Sequence, residues 1–165
     1  MNMFVFGYYS SPIGLLEVVC SETGISEVNF VEKPRFETPD NPPETLRACI
    51  TQLDEYFSGR RRRFDVPLDL RSGTSFYREV WRLVQSIPYG RTRSYSTIAE
   101  TLGRPQANRA VGQANGKNPV PIVIPCHRVI GKDGGLTGYA YGLEIKEALL
   151  ALENPKKFAH QAELW

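Results

Sequence analysis

Apolar and polar positions follow one rhythm in the first third of the chain and another after it. Phe4–Tyr9, Leu15–Cys20 and Ile25–Val31 are short runs rich in Val, Ile, Leu and aromatic residues, the pattern of strands that fit a half-buried pleated surface. Ser11-Pro12-Ile13-Gly14 and Glu22-Thr23-Gly24 separate them with turn residues, so the three runs predict a small antiparallel meander. Glu32–Pro43 carries four prolines and several charges and predicts a loop. Leu46, Ile50, Leu53 and Phe57 then recur at three- and four-residue spacing. That period predicts a helix from Glu44 to Ser58, stopped at Gly59. Phe64–Leu70 predicts one more strand.

Asp69–Gly73 reads as a junction between a domain over residues 1–73 and another over 74–165, because the pattern beyond it is helical. Thr74 or Ser75 is placed to cap a helix carrying Phe76, Val80, Leu83 and Val84, and Pro88-Tyr89-Gly90 supplies turn chemistry at its end. Ser94 is placed to cap a short helix through Leu102, stopped at Gly103 and Pro105. Another helix is predicted from Gln106 to Gly116. Two short helices joined by a tight glycine-containing turn read as a helix-turn-helix, with ordinary helix packing as the alternative that pattern leaves open. In the second of them Ala107, Ala110, Val111 and Ala114 share one side, the predicted core face, and Arg109, Gly112, Gln113 and Gly116 share the other. Glycine costs a helix interior about 1 kcal/mol against alanine. Two on an exposed face therefore call for a reason, and close approach of another backbone is one. Leu143–Leu152 predicts a last amphipathic helix through Ile145, Leu149 and Leu152.

Composition narrows the classes. The 165 residues are 41% hydrophobic and 23% charged, enough for one full core or two small ones. No run of about 18 apolar residues predicts a membrane span, and Met1–Gly14 lacks the pattern of a secretory signal, so no membrane partner is expected and a cytoplasmic location is. Cys20, Cys49 and Cys126 are odd in number and widely spaced, which fits a reducing compartment better than a disulfide framework. His127 and His160 are the two histidines and there is no CxxC, which gives a zinc site little to build on. The formal charge of +2 divides unevenly: 8 basic and 11 acidic residues over Met1–Gly73, 12 and 7 over Thr74–Trp165. Within Ser86–Lys132 the bases are Arg91, Arg93, Arg104, Arg109, Lys117, Arg128 and Lys132 against Glu100 alone. Such a stretch suits a polyanion-binding face, although a solvated surface has the same composition. Arg60–Arg63 reads more simply as a solvated turn that favours the preceding helix C-terminus.

The least ordinary stretch is Asn118–Ile130, whose three prolines predict an extended chain and whose Cys126 is followed at once by His127. A free thiol is mostly protonated at neutral pH and needs a base or positive field to react; His127 and Arg128 are placed to supply both. Neighbouring side chains on an extended chain point in opposite directions. A bridging water or a local bend is therefore expected between Cys126 and His127. Asp133, Glu147 and Glu153 are the candidates for a carboxylate orienting the imidazole, and spacing does not choose among them. A buried structural cysteine beside a surface histidine is the bland alternative.

Pro125-Cys126-His127-Arg128-Val129-Ile130 resembles the active-site signature of the O6-alkylguanine-DNA alkyltransferases, the methylated-DNA–protein-cysteine methyltransferases. Phe76–Trp81, Ile87–Gly90, Ser94–Tyr95, Ile98–Ala99, Arg109–Gly112, Asn118–Pro119, Gly138–Tyr139, Lys146 and Leu149–Glu153 match the family pattern in order, and Ser11–Gly14 and Gln52–Gly59 resemble bacterial members. The resemblance is thinnest at Glu32–Pro43 and after Glu153. It implies an α+β fold: a small N-terminal α/β, ribonuclease-H-like domain with an antiparallel sheet, then a mostly helical C-terminal domain with a winged-helix-like helix-turn-helix.

The function implied is direct-reversal DNA repair, with an alkyl group passing irreversibly from O6-alkylguanine in double-stranded DNA to Cys126; O4-alkylthymine is a candidate second lesion. The resemblance implies a monomer docked through the minor groove, unlike most helix-turn-helix proteins, and leaves cooperative clustering on DNA open. Arg109 resembles the residue that enters the duplex in place of the flipped base. Tyr95 resembles the one that crowds the target phosphate and hydrogen-bonds the base, with Asn108, Gly112 and Gln113 on the same surface. Flipping costs a few kcal/mol, less for a weakly paired base.

In the implied pocket the Val129 carbonyl faces the exocyclic amine, the Ala140 N–H and the Tyr95 hydroxyl face the base edge, and Tyr139 closes over the guanine. Asn118 ties the helix-turn-helix to the active-site strand, and Arg128 completes the set. Glu153 orients His127, which takes the Cys126 proton through water. The thiolate attacks the alkyl carbon in line, Tyr95 donates to the departing base, and the thioether ends the reaction after one turnover. No metal or organic cofactor is implied, and the N-terminal zinc site of some members has no matching ligands here. The family usually has glycine where Tyr141 stands, a departure that bears on loop mobility and on the alkyl groups accepted. Two other readings are a lesion binder without chemistry, whose relatives carry another residue in place of the cysteine, and a cysteine hydrolase, which leaves the basic helix-turn-helix unexplained.

Overall fold

A computed structural model describes residues 3–158; His160 lies outside them. The chain divides into two compact units, Met1–Ser72 and Gly73–Trp165. In the first, β1 (Val5–Ser11), β2 (Gly14–Cys20) and β3 (Ile25–Val31) form an antiparallel sheet in the order β1-β2-β3, in the register Val5↔Cys20 to Ser11↔Gly14 and Leu15↔Val31 to Cys20↔Ile25. The hairpin turn is closed by the Ser11 hydroxyl, which donates to the Gly14 carbonyl at 2.6 Å and accepts the Ile13 N–H at 3.2 Å. Strand β2 is central, and Leu16 to Cys20 are all buried. Helix α1 (Glu44–Phe57) lays Leu46, Cys49, Leu53, Tyr56 and Phe57 into the core. It approaches β1 at Gly7, where a Cβ would stand 2.8 Å from Ile50 Cδ1. That close approach is why glycine interrupts an otherwise bulky strand.

The further strand expected over Phe64–Leu70 reduces to a single bridge, Leu68 with Ile25. Pro67 has no N–H to donate to a ladder. The backbone of Asp65 is satisfied instead by the Gln52 side chain, which donates to the Asp65 carbonyl at 3.1 Å and accepts its N–H at 2.8 Å. In the arginine run, Arg60 pairs with Asp54 at 3.3 Å and Arg61 with Glu55 at 3.0 Å, both toward the end of α1.

The second unit begins with α2 (Ser75–Gln85), capped by Thr74, whose hydroxyl accepts the Tyr77 N–H at 3.1 Å. Its inward face is Val80, Trp81 and Val84, and the Trp81 indole N–H donates to the Ala114 carbonyl at 2.8 Å. That bond fixes α2 to the helix-turn-helix formed by α3 (Tyr95–Thr101) and α4 (Asn108–Gly116). Ser94 caps α3 by accepting the Thr97 N–H at 3.1 Å. Gly103, at φ +71°, ends it in the left-handed region where a Cβ is penalised. Helix α4 starts at Asn108, two residues later than its sequence predicts, because Arg104–Ala107 forms a turn closed by Ala107 N–H to Arg104 C=O at 2.9 Å.

Two short parallel strands, β4 (Arg93–Ser94) and β5 (Val129–Ile130), pair Arg93 with Val129 and Ser94 with Ile130. They join the residue before α3 to the segment just after the cysteine. Helix α5 (Leu143–Glu153) completes the unit and buries Lys146, Ala148, Leu149, Leu150, Ala151 and Glu153. Among the described residues no helix is long and apolar enough to cross a membrane.

Candidate active site

Residues 120–130 are all buried, so every backbone polar group there needs a partner. Two asparagines supply several. Asn118 accepts the Val120 N–H on Oδ1 at 2.9 Å and donates from Nδ2 to the Ile124 carbonyl at 2.8 Å. Asn115 donates to the Cys126 carbonyl at 3.2 Å. Held at these points, the chain passes through Ile122 at φ +75°. A β-branched residue there costs about 1–3 kcal/mol, which persists only where surroundings over-determine the backbone.

The expected extended run through the cysteine is not what forms. Cys126–Arg128 is a turn of 3-10 helix, with Arg128 N–H bonded to the Pro125 carbonyl at 2.9 Å and Val129 N–H to that of Cys126. The local bend therefore exists, and it turns His127 and Arg128 together toward Glu153 at the end of α5.

Of the three candidate carboxylates, Glu153 is the one that meets His127. The imidazole Nε2 lies 2.7 Å from Glu153 Oε1. Arg128 donates to the same carboxylate from Nε at 2.9 Å and Nη2 at 2.8 Å, and from Nη1 to the Ile87 carbonyl at 2.7 Å. The Gly90 N–H reaches Glu153 Oε2 at 3.3 Å. Burial would raise the Glu153 pKa; the facing His127 and the Arg128 guanidinium outweigh it and hold the carboxyl well below its usual range. Burial lowers His127, against the pull of Glu153. We take the imidazole as neutral and Arg128 as the partner that keeps the carboxylate charged. An ionised carboxylate only accepts, so the imidazole hydrogen sits on Nε2. Nδ1 is then a bare acceptor; it is buried and has no hydrogen-bond partner among the described residues.

Cys126 faces the other way. Its sulfur lies 3.7 Å from the Tyr139 hydroxyl. Burial raises its pKa, opposed by Asn118, Tyr139 and the positive charge of Lys146. The thiol is thus protonated at rest and needs a base at the moment of reaction. It opens on a cavity of about 410 Å³ lined by Tyr95, Gly112, Gln113, Asn118, Tyr139, Ala140 and Tyr141 among others. Tyr139 and Tyr141 pack edge to face with centroids 5.6 Å apart. The Tyr95 hydroxyl reaches the Thr137 carbonyl at 3.5 Å, and burial raises its pKa, keeping it a donor.

A second, open groove of about 270 Å³ shares Tyr95 and Gly112 with that cavity and adds Ser96, Asn108, Arg109 and Lys132. Arg109 is exposed and forms no ion pair with the described residues. A Cβ on Gly116 would meet nothing within 4 Å, and one on Gly112 only the Tyr95 ring at 3.8 Å. The chain's own packing therefore does not require glycine at either place.

Most of the residues singled out from sequence thus converge on the cavity or the groove. His127 and Glu153 lie behind the cysteine, and of the residues expected in the pocket two do not line it: Arg128, drawn into the Glu153 pair, and Val129, whose carbonyl accepts Lys146 Nζ at 2.7 Å. That carbonyl keeps a second lone pair. Asn115, which lines the cavity and holds the cysteine carbonyl, and Lys146 were not assigned roles from sequence. An asparagine amid small residues of a helix and a lysine on an amphipathic helix carry no local signal of burial. Among the described residues no group of three His, Cys, Asp or Glu could hold a metal ion.

Residues 75–155 match the model of the 6-O-methylguanine DNA methyltransferase DNA-binding domain, and residues 4–70 that of the same family's ribonuclease-like domain. A methylated-DNA–protein-cysteine methyltransferase of Methanosarcina acetivorans is 47% identical over 152 residues, spanning 90% of this chain and 97% of its own. One of Mycolicibacterium paratuberculosis is 48% identical over 155 residues, spanning 92% and 93%. The crystal structure of Mycobacterium tuberculosis O6-methylguanine methyltransferase superposes with a TM-score of 0.81 at 44% identity, covering 93% of this chain and 94% of that one. The structure of Mycobacterium tuberculosis OGT in complex with DNA gives 0.79 at 45% identity, covering 91% of each.

Glu153 and His127 both have folded-state pKa values below their ordinary ones. The unfolded chain therefore takes up protons first, His127 near pH 6.5 and Glu153 near pH 4.3. Stability present at neutral pH is expected to fall as pH drops through that window, read as a declining denaturant midpoint. Glu153→Gln should cost about 3 kcal/mol at neutral pH, because it leaves Arg128 buried without its counter-charge. An unchanged midpoint in either experiment would contradict the arrangement.

Proposed function

The chain belongs to the 6-O-methylguanine DNA methyltransferase family, and on that premise we propose that it repairs alkylated guanine in DNA by transferring the alkyl group from O6 to its own Cys126. The observation that carries this is a buried cysteine opening on a cavity of about 410 Å³, followed by an imidazole whose buried Nδ1 has no hydrogen-bond partner among the described residues. The helix-turn-helix docks on double-stranded DNA through the minor groove, with Arg109 entering the duplex as the damaged base leaves it. The protein acts as a monomer in the cytoplasm. The geometry supports flipping: Cys126 is only 4% exposed, whereas Arg109 stands on the exposed face of α4. A base held in the stack could not reach the sulfur, so it must come to the cavity.

There the base lies among Tyr95, Tyr139 and Ala140, with Asn118 holding the cavity wall. Through an intervening water, Nδ1 of His127 takes the Cys126 proton; Glu153 steadies the imidazolium that results, as the third member of a nucleophile–base–orienter set. The thiolate attacks the alkyl carbon, forming an S–C bond as the C–O6 bond breaks. The electron pair goes to the purine, and Tyr95 donates a hydrogen bond as that charge develops. The thioether does not reverse, so each molecule acts once. Arg128 serves by holding Glu153, and Val129 by its remaining carbonyl lone pair. Asn108 and Gln113 flank the docking face. With domains over residues 1–73 and 74–165, the reacting residues all belong to the second.

With duplex DNA carrying a labelled O6-methyl group, the protein should take up label in a one-to-one ratio, and Cys126→Ser should bind the same duplex without label. Turnover beyond one equivalent, or label on Cys126→Ser, would overturn the proposal.

The glycine face gives a second expectation. Gly112→Ala fits the free protein at ordinary contact distance from Tyr95 and should raise its stability by up to about 1 kcal/mol. It should weaken binding to undamaged duplex, because the face must lie close to the DNA backbone. Unchanged affinity would remove that role for the face.

A further inference from the structure

Lys146 is the one wholly buried lysine among the described residues, and the reaction scheme leaves it without a role. It forms no ion pair with the described residues, so its ammonium depends on dipoles for the solvation that burial removes. Nζ has three N–H donors and meets three backbone carbonyls: Val129 at 2.7 Å, Thr137 at 3.2 Å and Gly138 at 3.4 Å. Val129 opens β5, directly after the turn that carries Cys126. Thr137 and Gly138 lead the segment that brings Tyr139, Ala140 and Tyr141 to the cavity. One ammonium thus joins the strand that follows the nucleophile to the wall of the cavity.

Other contacts also meet the segment, among them the Tyr139 hydroxyl 3.7 Å from the Cys126 sulfur. Gly142 N–H to Tyr139 C=O at 3.0 Å is internal to it, and Tyr95 to Thr137 at 3.5 Å is long. Gly138 and Gly142 sit at φ +46° and +98°, conformations that favour glycine. The Tyr139 ring, from the loop, lies 6.0 Å from Nζ.

The position of Lys146 on α5 has a simple origin. It precedes Glu153 by seven residues, two helical turns, so both project from one face. Glu153 takes His127 and Arg128, and Lys146 takes Val129. One helix therefore grips three consecutive residues beside the nucleophile from two buried charges of opposite sign.

We propose that Lys146 is a positioning residue for alkyl transfer: its ammonium latches the segment 137–141 to β5, holding Tyr139 and Ala140 against the base. This rests on the function proposed above.

The test uses the full chain in excess over a duplex carrying O6-methylguanine. Lys146→Met keeps the apolar stem and removes the charge. Its transfer rate at saturating protein should fall about tenfold to a hundredfold, the scale of a misplaced reacting group, with affinity for undamaged duplex unchanged. Amides of residues 137–141 should exchange with deuterium faster than in the wild type. Lys146→Arg, which keeps the charge but spreads its donors in a planar fork, should fall between the two in rate and exchange. If Lys146→Met does not fold, the arginine variant alone decides: slower transfer and faster loop exchange support the latch, and wild-type behaviour overturns it. Wild-type transfer by Lys146→Met, slowed transfer without faster loop exchange, or a parallel loss of affinity for undamaged duplex would each overturn it. Absence of transfer by the wild type would instead overturn the function on which the proposal rests.

Discussion

The buried carboxylate of Glu153 is the interaction on which the rest of the second unit depends. A charge in that position must be paired and hydrogen-bonded or it costs several kcal/mol. The demand is met by drawing two consecutive residues, His127 and Arg128, to one point. An extended chain cannot aim neighbouring side chains the same way, so the backbone takes a turn of 3-10 helix. That turn leaves Cys126 facing the cavity. It also explains the neighbouring devices: Asn115 and Asn118 hold the backbone of the bent segment, Ile122 accepts a left-handed conformation, and β5 pairs with β4 to bring Tyr95 to the same cavity.

The same arrangement separates two tasks. The nucleophile is buried, which keeps its thiol protonated and protected until a substrate arrives. The exposed face of α4 carries Arg109 and two glycines that the protein's own packing does not require. The cavity at the sulfur and the open groove beside Arg109 meet at Tyr95 and Gly112, an arrangement that makes sense if the substrate bridges them, with the duplex on one and a single base in the other. Helix α5 meets the buried site at two points, Glu153 against His127 and Lys146 against the carbonyls of Val129, Thr137 and Gly138.

Much of this was legible in the sequence, for physical reasons that differ by element. Capping by Thr74 and Ser94 and termination at Gly103 are local, so they could be read from a few residues. The polar side of α4 was legible because glycine on an exposed helical face contradicts propensity. The path of Phe64–Leu70 was not, because it depends on Gln52 replacing a strand partner from thirteen residues away. Nor was the direction of Arg128, which next to a reactive cysteine reads as part of a pocket. Only the tertiary position of Glu153 turns it inward. Lys146 is the clearest case: a lysine on an amphipathic helix reads as solvated, and only the three carbonyls gathered around it reveal otherwise.

The central claim is that burial keeps His127 neutral while Glu153 holds its hydrogen on Nε2, leaving Nδ1 as the base for Cys126. Nitrogen NMR of the labelled imidazole measures this directly. At pH about 7 the resonances of His127 should be those of the neutral ring protonated on Nε2, and Glu153→Gln should disturb that assignment. A charged imidazolium at that pH, or a neutral ring carrying its hydrogen on Nδ1, would contradict the account.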